Sequence, residues 1–91
     1  MRPLSLLACQ ILVPPTPDRA ARDAHVARMA EVTDKALSAQ AADIVVFPEL
    51  STIDYSRAAF DALDSLADPL ERSPCVARFA ALAQRHGTHV C

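Results

Sequence analysis

The sequence predicts an α/β fold, with a parallel sheet and crossover helices. Two observations carry this. Ile44 to Phe47 is an unbroken β-branched and aromatic run closed by Pro48, which reads as a strand buried on both faces. Around it, helical-period segments alternate with short apolar ones in the order β-α-β-(α)-α-β, a pattern that calls for parallel strands linked by helices. Glu49 follows Pro48 at once. It therefore lies just past the carboxyl end of a strand, at the edge where open α/β sheets collect ligands and chemistry.

The first strand is expected within Leu4–Val13, which is apolar apart from Ser5 and Gln10. Pro14, Pro15 and Pro17 end it. The apolar residues before Cys9 are too few for a signal-peptide core of about 7–15 residues, so the strand reading is preferred to a leader. A long helix follows, with Thr16 or Asp18 as its cap and Asp18 suited to the positive end of the dipole. Val26, Met29, Ala30, Thr33 and Leu37 recur at helical spacing as its apolar stripe, and the helix should end near Gln40 or Ala41.

After the central strand comes a loop, Leu50–Tyr55. Ser56 caps a short helix with Phe60, Leu63 and Ala67 on one face, broken by Asp68-Pro69. Ser73-Pro74 is a restart signal, Ser at the N-cap and Pro at the first helical position. Val76, Phe79, Ala80 and Ala83 give the stripe of this last helix. Gly87, the only glycine, is placed to end it in the left-handed conformation. Thr88–Cys91 begins a third strand that has barely started. Two strands and a stub leave a sheet poorly covered, so the chain is expected to be the N-terminal part of something larger, incomplete at its C-terminus.

At 91 residues the chain is one domain or less. Acidic and basic residues are well mixed and sum to a net charge of −2, which gives neither a nucleic-acid footprint nor a polybasic membrane patch. No apolar run approaches the ~20 residues of a membrane span. Cys9, Cys75 and Cys91 form no C-x-x-C and have no metal-type spacing to the histidines. An odd count in an ordinary chain favours reduced thiols and a cytoplasmic setting.

Glu49 is the first candidate for chemistry. A carboxylate at the lip of an apolar strand is expected to be partly desolvated, which raises its pKa toward that of a general base; the competing reading is a solvated loop glutamate. Cys9 reads as a buried filler, Cys75 as a packing or surface thiol in the first turn of a helix, and Cys91 as strand core. His25, His86 and His89 have no second ligand at metal spacing and read as structural. No Gly-x-Ser-x-Gly elbow and no phosphate loop is present.

Asp43-Ile-Val-Val-Phe-Pro-Glu49-Leu50 resembles the first signature of the nitrilase superfamily, the carbon–nitrogen hydrolases. The resemblance extends to the opening strand ending in Gln10, the long helix, Tyr55 shortly after the glutamate, Leu66-Ala-Asp-Pro-Leu70, and Ala83-Gln-Arg-His-Gly87 leading into a strand. It implies a four-layer α-β-β-α sandwich, of which this chain is the N-terminal part. It implies hydrolysis of a nitrile or non-peptide amide by a Glu-Lys-Cys triad with no cofactor and no metal, in a protein that commonly dimerises. Glu49 maps onto the general base. Lys35 and the three cysteines match no catalytic position of the family, so the 91 residues alone are expected to be inactive. The rival expectation is a non-catalytic remnant or interaction module that associates through exposed sheet edges. Two departures from the family pattern stand out. Ala41 replaces a common helix-stopping glycine, at a cost of about 1 kcal/mol if the position is left-handed. Asp54 replaces a glycine before the tyrosine and alters the loop beside the site.

Overall fold

A computed structural model describes residues 2–91. The elements run β1 (Leu6–Ala8), α1 (Arg19–Ala39), β2 (Ile44–Val46), α2 (Arg57–Asp61), α3 (Leu63–Leu66), a 3-10 turn (Leu70–Arg72), α4 (Pro74–His86) and β3 (His89–Val90). The three strands form one parallel sheet in the order β1-β2-β3, with Leu7 beside Val45 and Val45 beside Val90. The α/β reading holds as mixed helix and strand around a small parallel sheet.

Helices α1, α2 and α4 each start on a side-chain cap. Asp18 accepts from the Ala21 amide at 2.8 Å, Ser56 from Ala59 at 3.1 Å and Ser73 from Val76 at 3.2 Å. These bonds satisfy amides that the first turn leaves without partners. Gly87 ends α4 at φ 59°, ψ 39°. Ala41 does not need the left-handed conformation, because α1 stops one residue earlier with Gln40 extended at φ −151°. The cost attached to a missing glycine there does not arise.

Two right-handed crossovers that step in the same direction across a sheet place both helices on one face. That is the arrangement here. Leu37 of α1, Val45 of β2 and Leu82 of α4 form a buried cluster, joined by Leu7, Cys9, Phe47, Phe79 and Val90. Phe47 and Phe79 pack at 5.3 Å between ring centres. The opposite face carries Leu6, 60% exposed, with Ala8 exposed and Ile44 and Val46 half-buried. The central strand is therefore covered on one face, not on both as its unbroken apolar run suggested.

Four further expectations need correction. The first strand does not fill Leu4–Val13. Its ladder ends with the Cys9 amide on the Val46 carbonyl, because its neighbour reaches Pro48, which has no amide to continue the pairing. Thr16 is not a cap but is wholly buried against Asp54. The helix after Ser56 is two short helices joined at Ala62. Ala59 and Leu66 are buried with Ile53, while Leu63 is 44% exposed. The stripe of α4 is rotated: Leu82 is buried and Val76 is 45% exposed.

Arginines from α1 close the end of α3. Arg19 donates to the Ser65 carbonyl at 2.8 Å and Arg22 donates to the Leu66 carbonyl. Both also meet Asp68, at 2.7 and 2.8 Å. Carbonyls that a four-residue helix leaves open thus receive charged donors.

Candidate functional site

Pro48 cannot extend the ladder, so the chain leaves the sheet there and turns over residues 49–52. The Phe47 amide, donating to the Cys91 carbonyl at 2.8 Å, is the last sheet bond before the turn. Leu50 takes φ 55°, the left-handed region, where a side chain costs about 1–2 kcal/mol. It is the only non-glycine residue with positive φ among the described residues. Strain of this kind clusters where a fold holds a functional group in place.

Glu49 is the residue before it. Its side chain is exposed and makes no hydrogen bond or ion pair with the described residues. The expected desolvation at the strand lip is not seen, because the turn carries Glu49 outward from the apolar cluster and no other element lies over it. Beside the turn an apolar hollow of about 500 Å³ opens along the β3 edge, bordered by Phe47, Pro48, Ser51, Thr52 and Phe79. Glu49 stands next to its border residues in sequence but does not line it.

The segment after Glu49 is tied down from a distance. His25, buried on α1, places Nε2 2.8 Å from the Ser51 carbonyl oxygen. Thr16 donates from its amide and its hydroxyl to Asp54 Oδ1, at 2.8 and 2.6 Å, and the Asp54 amide donates back to Thr16 Oγ1 at 2.9 Å. Hydrogen bonds from the Ser56 and then the Thr16 hydroxyl lower the Asp54 carboxyl to about 2, so it stays ionised at neutral pH. Sequence reasoning took His25 as structural and Thr16 as a possible helix cap. No local signal marks either bond, since the partners lie 26 and 38 residues apart.

The other candidates lie apart from the turn or do other work. Asp43, in the segment that leads into β2, sits at the opposite end of the strand. There it accepts from Arg2 and from the Ser5 amide, and these bonds, Arg2 foremost, hold its carboxyl well below the usual range. Cys9 packs in the helix-side cluster, and burial raises its pKa. Cys75, in the first turn of α4, is also raised, chiefly by burial, with Arg22 opposing. Neither carries the lowered pKa of an activated nucleophile. Cys91 is exposed, and its amide continues the ladder to the Val45 carbonyl. His86 Nε2 lies 2.7 Å from Asp34 between α1 and α4, and His89 is exposed on β3. No group of three or more His, Cys, Asp or Glu suited to a metal ion occurs among the described residues. No helix of the described residues is long and apolar enough to cross a membrane.

The geometry thus offers one carboxylate beyond a parallel strand, next to a strained residue, in a segment pinned at both ends. Ligands and chemistry collect at this edge of open α/β sheets. No curated protein and no solved structure was found to match the chain. The family model described as carbon–nitrogen hydrolase matches residues 8–91. Its span includes the last residue of β1, the Phe47–Leu50 segment and β3. The chain belongs to the carbon–nitrogen hydrolase family.

Proposed function

We propose that this segment supplies the general base, Glu49, of a Glu-Lys-Cys triad that hydrolyses a nitrile or a non-peptide amide. The observation that carries the reading is the position of Glu49: it follows the end of β2, beside left-handed Leu50, within a family match that includes the whole segment. On an amide, the carboxylate takes the proton of the cysteine thiol as sulfur bonds to the carbonyl carbon. The lysine holds the negative charge that develops on oxygen. The C–N bond breaks, the proton goes to the departing amine, and a thioester remains. Water then loses a proton to the same carboxylate and attacks the carbon; the C–S bond breaks, the carboxylic acid is released, and the proton passes from the Glu49 carboxyl to the departing sulfur, which restores the thiol. Neither the lysine nor the nucleophile is assigned within residues 1–91, where Lys35 lies on α1 and the two thiols inside the fold are raised.

The uncovered sheet face supports the rest of the reading. Leu6, Ala8, Ile44 and Val46 form an apolar surface of the kind a second sheet covers in a four-layer α-β-β-α sandwich. The free thiols among the described residues suit a reducing, cytoplasmic setting. Association of two copies is part of the same proposal. Assay of residues 1–91, and of a longer chain in which they are joined to a segment that carries the lysine and the cysteine, against a panel of aliphatic and aromatic nitriles and amides tests it. Turnover is expected from the longer chain and none from residues 1–91. Turnover by the 91 residues alone contradicts the shared triad. None from either favours a non-catalytic module.

A further inference from the structure

Glu49 projects from a short arch with two fixed feet. The first foot is Phe47, whose amide bonds to Cys91 in the sheet. The second is the segment Ser51–Asp54, and no sheet holds it. It is held instead by two side chains from elsewhere in the chain: His25 on α1, 2.8 Å from the Ser51 carbonyl oxygen, and Thr16 in reciprocal bonding with Asp54. His25 is 6% exposed and Thr16 0%, so water does not compete freely for these bonds. Between the feet, Leu50 sits at φ 55°, a conformation that an untethered loop would leave.

A base must meet its proton at hydrogen-bond distance, and a displacement of about 1 Å can cost about 100-fold in rate. Glu49 has no side-chain partner among the described residues to set its position. Only the backbone of the arch can do so. Resting on the reading of Glu49 as the base, we propose that His25 and the Thr16–Asp54 pair are positioning residues that hold the arch, and with it the Glu49 carboxylate, in register with the reacting atoms. None of the three touches substrate. The Asp54 carboxylate ties the arch to the proline-rich segment before α1.

The test uses four variants, made in a chain that joins residues 1–91 to the lysine and the cysteine of the proposed triad: His25→Ala, His25→Gln, Asp54→Ala and Asp54→Asn. Gln brings an amide nitrogen toward the position of Nε2, and Asn keeps the Oδ1 acceptor. The alanine variants are expected to lose at least about 10-fold in kcat per folded molecule with KM little changed, since only the reacting geometry is disturbed. Amide hydrogen exchange over residues 49–54 should quicken in the same variants. Gln and Asn should recover most of both. Exchange that stays slow in both alanine variants overturns the tethers. Faster exchange with unchanged kcat overturns the positioning role, as does a kcat loss that the conservative variants do not rescue. If the unmodified chain hydrolyses nothing, the base assignment falls and the positioning role with it. Exchange data separate that failure from a failure of the tethers.

Discussion

Arg22 and Asp68 meet at 2.8 Å with 3% and 5% of their side chains exposed, and this pair joins the start of α1 to the segment between α3 and the 3-10 turn. Arg22 also donates to Asp23 at 2.7 Å, and Arg19 shares the Asp68 carboxylate. Two charges this far from water are expensive to bury and are kept only while both remain paired.

Removing one partner should therefore be severe. Asp68→Ala takes the buried carboxylate from the Arg22 guanidinium and leaves it only Asp23, whose side chain is 42% exposed, and is expected to cost about 3 kcal/mol in urea unfolding. Lys35→Ala breaks an exposed pair with Glu31 and should cost less than about 1 kcal/mol. Equal effects of the two would mean that the Arg22–Asp68 pair is solvated in solution.

The rotated stripe of α4 makes a second contrast. Leu82 is buried against Val45 and Leu37, whereas Val76 is half in solvent beside the apolar hollow. Leu82→Ala should destabilise by about 2–5 kcal/mol, because it removes buried methyl groups and leaves a cavity. Val76→Ala should stay within about 0.5 kcal/mol, as surface changes do. The reverse ranking would restore the stripe that the periodicity alone suggested.

The Thr16–Asp54 pair has a pH signature. The Asp54 carboxyl, at about 2 when folded, lies below its ordinary value of 3.8. The unfolded chain therefore binds the extra proton first as pH falls. The stability from the bonds that lower it, that of the Ser56 hydroxyl first and then those of Thr16, is fully present above pH ~4 and is lost as pH falls toward ~2. Acid unfolding followed by circular dichroism should be shallower in Thr16→Val than in the unmodified chain over that window. Superimposable acid limbs would show that the hydroxyl does little to hold the carboxylate ionised.

Local chemistry made much of this fold legible. Asp18, Ser56, Ser73 and Gly87 end their helices as their side chains or backbone freedom dictate. Ile44–Phe47 forms the central strand because β-branched residues closed by proline have few alternatives. Glu49 was readable as a sheet-edge residue for the same reason. What the sequence hid depends on contacts between distant segments. Thr16 has the chemistry of a cap, and only the approach of Asp54 turns it into a tether. Leu82 rather than Val76 faces the core because the rotation of α4 is set by how it packs on α1 and β2. Nothing at Ala62 marks the break between α2 and α3. The sequence left Glu49 open between a sheltered and a solvated carboxylate, and the turn after Pro48 decides for the solvated one.

The central claim is that Glu49 is the base. Glu49→Gln keeps the size and removes the proton acceptor, so it tests the role directly in a chain that joins residues 1–91 to the proposed lysine and cysteine. With a nitrile or amide that the unmodified chain hydrolyses, kcat should fall by about 100-fold to 10,000-fold with KM little changed. Exchange over residues 49–54 should be unaltered. A kcat within a few-fold of the unmodified chain would contradict the account.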